Sequence, residues 1–120
     1  MTGQTLTLAD LIFETGTVET PLPRDQRARL LNELGNAWQV EARNPDALVR
    51  GYRFNNFVEA MAFANRVCEL AEQFDHHPAL TIEYGRATVV WWTHTAGGIA
   101  ANDFLLARET DALYNTAART

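Results

Sequence analysis

The 120-residue chain contains no lysine and no serine, and all ten of its basic residues are arginine. Without lysine there is no amine for Schiff-base chemistry and no phosphate-loop lysine. Without serine there is no serine nucleophile and no G-x-S-x-G elbow. A single cysteine, Cys68, excludes an intramolecular disulfide and any cysteine-rich metal site. It falls on the apolar stripe of a helical pattern, where a buried and inert thiol is expected. No apolar run approaches the ~18 residues of a membrane span. The first residues carry no charged segment followed by an apolar core, which argues against a secretory leader and for a cytoplasmic location. Basic residues are in the minority: fifteen acids against ten bases give a net charge of −5. So acidic a chain is a poor binder of duplex nucleic acid, because phosphate affinity comes from clustered cations.

What is present fits one domain. The chain has a mass of 13.5 kDa, with 47% apolar and 21% charged residues, ordinary values for a globular protein. A domain this small buries roughly two-thirds of the surface of its unfolded chain. It can fold alone, but its active site should be shallow or shared with another copy.

Periodicity gives the expected elements. Residues 1–22 lack a clear period, are kept extended near their end by Pro21 and the following Pro23, and read as a loosely ordered arm before a domain over 23–120. Ala28, Leu30, Leu31 and Leu34 recur at helical spacing, and Gly35 suits the stop of a helix over 24–34. Residues 37–41 and 47–54 read as strands around the Asn44-Pro45-Asp46 turn. A long helix is predicted from Phe57 to Phe74, opened by Asn56 with Glu59 three residues on, the pattern of a capping box. Its apolar stripe is wide, which predicts a second partner beyond the sheet. Residues 80–84 and 87–93 form a hairpin across Gly85-Arg86, and 103–114 a closing helix. The order α-β-β-α-β-β-α argues an α+β fold, a four-stranded antiparallel sheet with helices on one face.

The chain's three histidines, His76, His77 and His94, lie within 19 residues of one another. Asp75-His76-His77-Pro78 sits between the long helix and the third strand, and His94 just past the fourth strand, in Trp92-Thr93-His94. The hairpin returns that end to Pro78, so the three imidazoles should converge beside Trp91 and Trp92. Three neutral imidazoles can hold zinc, but adjacent histidines usually diverge and the spacing is not that of common metal sites. Nucleophilic catalysis has no candidate once Cys68 is assigned to the core. Acid–base work on a bound small molecule suits imidazole, which titrates near neutrality. Glu72 and Asp75 would orient or tune the rings.

Glu72-x-x-x-His76-His77-Pro78, followed by Tyr84, His94 and Asp103-Phe104, resembles the signature of the pterin-4a-carbinolamine dehydratases. Trp38, Tyr52-x-Phe54, the helix from Phe57 and Gly97-Gly98 extend the resemblance over about residues 24–113. Phe104 replaces the tryptophan often found after the aspartate. Ala100 stands where a capping Thr or Ser is common. The resemblance implies dehydration of a 4a-hydroxy-tetrahydropterin to the quinonoid dihydropterin, with no metal and no organic cofactor, and a functional link to an aromatic amino-acid hydroxylase. It implies proton transfer by His76 and His94 and a holding or lesser catalytic role for His77. Asp75, Pro78, Thr93, Trp38 and Trp92 would contact or wall the pterin, with Glu72 and Asp103 in support. It also implies a homo-oligomer, a dimer of dimers. The alternative is a binding or assembly role on the same fold, as a transcription-factor partner or a carboxylase assembly factor.

Overall fold

Apolar spacing places the elements, and tertiary contacts trim them. The structure is a computed structural model that describes residues 7–117. After a 3-10 turn at Leu8–Asp10 come α1 (Arg24–Leu34), β1 (Gln39–Glu41), β2 (Ala47–Arg53), α2 (Phe57–Phe74), β3 (Ala79–Glu83), β4 (Arg86–Trp91) and α3 (Ala101–Ala117). A second 3-10 turn, His94–Ala96, separates β4 from α3. The helices predicted over 24–34 and 57–74 agree to the residue. The third and fourth strands begin and end one or two residues earlier than periodicity gives, and α3 begins two residues earlier.

The four strands form one antiparallel sheet in the order β1-β2-β4-β3. Leu48 opposes Trp91, Arg50 opposes Val89 and Tyr52 opposes Ala87, so these six side chains share one face. That face is covered by the helices. Leu48, Tyr52, Val89 and Trp91 pack with Phe63, Val67 and Leu70 of α2, with Phe104 and Leu106 of α3 and with Leu30 of α1. Arg50 interrupts the apolar alternation of β2 because it reaches Asp111 of α3 at 2.7 Å. Asp111 also accepts hydrogen bonds from Tyr52 Oη and Trp38 Nε1. Burial first, then Asp111, holds the Tyr52 hydroxyl protonated far above its ordinary range.

Asn56 caps α2 by accepting from Glu59 N–H at 2.9 Å. Glu59 reaches back to Asn55 N–H rather than to the cap residue itself. The inward face of α2 is Ala60, Phe63, Ala64, Val67, Leu70 and Ala71. Cys68 is exposed, which corrects the expectation of a buried thiol. One residue is about 100° of helix rotation, so the neighbour of buried Val67 points away from the sheet. Phe57, Val58 and Met61 are likewise exposed.

Over residues 7–22 the arm lies along the helices. Arg108 Nη1 donates to Leu8 O at 2.8 Å, Leu11 is buried in the core, and Leu22 N–H donates to Ile99 O at 2.9 Å.

Candidate functional site

The site begins where α2 stops. Pro78 forbids a longer helix, and Asp75 ends it in the left-handed conformation, with φ 50° and ψ 46°. Aspartate tolerates that region better than most non-glycine residues. The Asp75 N–H returns to Glu72 O and the His76 N–H to Ala71 O at 3.1 Å, the six-to-one bond of a Schellman motif. The reversal sends the two histidines apart. His76 turns toward the core, with 15% of its side chain exposed. His77 remains outside and meets Glu72 at 2.6 Å, the two side chains 58% and 69% exposed. A pair so wet adds little stability.

His76 enters a prepared slot. Its ring stacks on buried Trp91, with centroids 5.9 Å apart and planes 30° apart. Its Nε2 lies 2.8 Å from Asp103 Oδ1 and 3.1 Å from Trp92 O. Both partners can only accept, so Nε2 carries a proton and donates it. Among the described residues Nδ1 has no hydrogen-bond partner, and it is the nitrogen left to exchange a proton.

Asp103 is fully buried, and its carboxylate is fully used. Oδ2 accepts from Thr93 Oγ1 at 2.7 Å and from Ala100 N–H at 2.9 Å. The second of these bonds satisfies the backbone donor of Ala100 just before α3, the half of a capping box that the acid three residues on supplies. The aspartate therefore ties three segments together: the end of α2, the end of β4 and the start of α3. Burial pulls the His76 pKa down. The hydrogen bond and charge of Asp103, then Trp92 O and the Asp75 charge, outweigh it, and the pKa stands above the ordinary histidine value.

The other expected site residues are distributed around this pair. Thr93 is buried and bridges to Gly98 through backbone hydrogen bonds. His94 opens the 3-10 turn and is exposed. It follows Trp92, whose carbonyl meets His76, by two residues, a span of at most about 7 Å. Among the described residues no hydrogen bond joins two of the three imidazoles. Nor does any group of three His, Cys, Asp or Glu stand ready to hold a metal ion. Trp92 carries the Arg43 guanidinium 4.7 Å above its ring. Pro78 is half-buried just before β3. Trp38 is 2% exposed and donates to Asp111, so it lies in the core and offers almost no surface to a pocket.

A model of the family described as pterin 4 alpha carbinolamine dehydratase matches residues 20–113. The chain belongs to this family. A Marinobacter nauticus relative is 42% identical over 99 residues, covering 82% of this chain and 89% of its own. A Chlorobium limicola relative is 46% identical over 95 residues, covering 79% and 84%. Both bear the name "Putative pterin-4-alpha-carbinolamine dehydratase". The crystal structure of a Brucella melitensis transcriptional coactivator/pterin dehydratase is similar with a TM-score of 0.73 and 28% identity, over 79% of this chain and 99% of that one. A pterin dehydratase-like protein that is a RuBisCO assembly factor in the alpha-carboxysome matches with a TM-score of 0.56 and 20% identity, over 68% and 93%, and shares the fold alone.

Trp91, expected beside the imidazoles, is the floor under His76. One further neighbour of His76 carried no signal of its own in the sequence. Phe13 sits in the aperiodic arm, yet its ring meets His76 edge-on at 6.3 Å. Among the described residues no helix is long and apolar enough to cross a membrane.

Proposed function

We propose that the chain removes water from a 4a-hydroxy-tetrahydropterin to give the quinonoid dihydropterin, serving an aromatic amino-acid hydroxylase in the cytoplasm. The observation that carries this reading is the Asp103–His76 pair, which fixes Nε2–H and leaves Nδ1 free with a raised pKa. A raised pKa favours the imidazolium, the form that can give a proton to a leaving hydroxyl. In the proposed step Nδ1 of His76 protonates the 4a-hydroxyl and the C4a–O bond breaks. His94 takes the proton from N5, and the C4a–N5 double bond forms. One proton is given and one taken, so the reaction releases only water and the dihydropterin. His77, oriented by Glu72, holds the pterin with Asp75, Pro78, Thr93 and the Trp92 ring, and Asp103 supports from behind.

The purified protein should accelerate the loss of 4a-hydroxypterin absorbance. His76→Ala and His94→Ala should each slow it by ~10²-fold or more, the usual worth of one acid–base group. Chelator should leave the rate unchanged, because among the described residues no group of three His, Cys, Asp or Glu stands ready to hold a metal ion with His76. Near-full activity in both variants would place the chemistry elsewhere. A wild-type protein without turnover would leave the binding or assembly role on the same fold.

We also propose that the protein works as a homo-oligomer, a dimer of dimers. Exposed Phe57, Val58 and Met61, on one turn of α2, support a subunit contact there.

A further inference from the structure

The segment before α1 runs from Glu33 of α1 and Arg108 of α3 to the start of α3 beside the site and is tied down along its course. Leu8 N–H donates to Glu33 Oε1 at 3.1 Å, and Leu8 O accepts from Arg108. Glu14 and the side chain of Asn102 exchange two hydrogen bonds, Glu14 N–H to Asn102 Oδ1 at 2.8 Å and Asn102 Nδ2 to Glu14 O at 2.9 Å. Asn102 is 3% exposed and is the neighbour of Asp103 in the chain. Further on, Thr95 Oγ1 donates to Val18 O at 2.6 Å, which ties the segment to the turn that carries His94. Between these anchors Phe13 packs on Phe74 at 4.9 Å and presents its ring to His76 at 6.3 Å, with planes 80° apart.

His76 is thus held on three sides. Trp91 lies under its face, Asp103 and Trp92 O take its Nε2 edge, and Phe13 closes a further side. We propose that Phe13 is a positioning residue, a clamp that keeps the imidazole on Asp103 and keeps water from their hydrogen bond. The energy of one edge-on aromatic contact is only about 1 kcal/mol. Its effect lies in geometry. Without the ring, the imidazole gains room to turn about its side-chain bonds, and water can compete for Nε2–H and for Asp103 Oδ1. A charged hydrogen bond shielded from water is stronger and better directed than a wet one. The matched family region starts at residue 20, so this clamp is supplied by a part of the chain outside it. As a statement about rate the inference rests on the dehydratase reading. As a statement about the His76 ring it does not.

The test compares full-length wild type, Phe13→Ala, Phe13→Leu and Ile12→Ala, with ¹⁵N-labelled histidine. Ile12 is the adjacent, outward-pointing control, 86% exposed. The readouts are exchange of the His76 Nε2 proton with water, by NMR, and kcat and KM for the 4a-hydroxypterin. Phe13→Ala should speed the proton exchange at least ~10-fold, as expected of a site opened to solvent. It should lower kcat ~10-fold with KM within ~2-fold, the signature of a misplaced reacting group. Phe13→Leu, which refills most of the space, should return both to within ~3-fold of wild type, and Ile12→Ala should match wild type. If Phe13→Ala loses its cooperative unfolding transition, Phe13→Val, which keeps an apolar contact with Phe74, carries the comparison and should shift both readouts in the same direction. Wild-type proton exchange in the folded Phe13 variant overturns the clamp, as does an equal effect of Ile12→Ala. A wild-type protein without dehydratase activity overturns the functional reading alone, and the exchange comparison still decides the clamp.

Discussion

His76 experiences two opposed influences: burial, which disfavours its charge, and the Asp103 carboxylate, which favours it and prevails. In Asp103→Asn the charge is gone and burial remains, so the His76 pKa should fall. If the imidazolium is the acid, the alkaline limb of the rate–pH profile should move to lower pH. Asp75→Asn should move it the same way and by less, since Asp75 acts through charge without a hydrogen bond to the ring. An alkaline limb unmoved by Asp103→Asn would mean that another group sets it. The same pair has a consequence for stability. A histidine whose folded pKa is raised stabilises fully below its unfolded value of about 6.5 and loses that contribution as pH rises through the folded pKa. Thermal unfolding followed across neutral pH should therefore show a contribution that declines with rising pH in wild type and is missing in His76→Gln. Asp103→Asn should in addition cost on the order of 1–3 kcal/mol, because a buried carboxylate that satisfies three donors cannot be matched by an amide.

At the scale of elements, α2 matters because the left-handed Asp75 that ends it aims His76. Its first turn is closed by Asn56, and Asn56→Ala should lower stability by about 0.5–2 kcal/mol, measurable by urea unfolding. The turnover of the folded protein should be unchanged, since the cap lies at the opposite end of an 18-residue helix from the site. A large fall in activity at full folding would show that the helix transmits changes along its length. α3 is started differently: Asp103 serves both the helix start and the imidazole, so element and site cannot be separated there. Deeper along α3, Trp91 Nε1 donates to buried Thr110 Oγ1 at 3.1 Å, which holds the floor of the His76 slot level.

For the whole molecule, the feature that bears on assembly is the apolar outer face at the start of α2. Phe57 is 47%, Val58 76% and Met61 38% exposed in the single chain. Sedimentation at micromolar concentration should give a species several times the 13.5 kDa protomer, and Met61→Glu should shift it to smaller species. A wild-type monomer would contradict the assembly. The net charge of −5 does not prevent such association, because the exposed patch itself is apolar.

The amino-acid order alone was sufficient for the helices at 24–34 and 57–74, for the antiparallel α+β arrangement and for the resemblance carried by Glu72, His76, His77, Pro78, Tyr84, His94 and Asp103. These are local properties: a period of 3.6 or 2, a cap, a proline stop, a fixed spacing between residues. What the order could not show is which way neighbouring residues face once the chain reverses. The left-handed turn at Asp75 separates a buried His76 from an exposed His77, and no periodicity marks it. The same holds for Cys68, apolar in pattern yet outside, because a stripe too wide for one sheet must leave part of itself uncovered. Trp38 was drawn to the pocket by resemblance and is instead held in the core by Asp111, 73 residues away in sequence. Phe13 reaches His76 from a stretch without period, because its position is set by bonds to Asn102 and Thr95 that only folding brings near. Contacts between distant segments depend on the packing of every element between them, and that is a property of the tertiary structure.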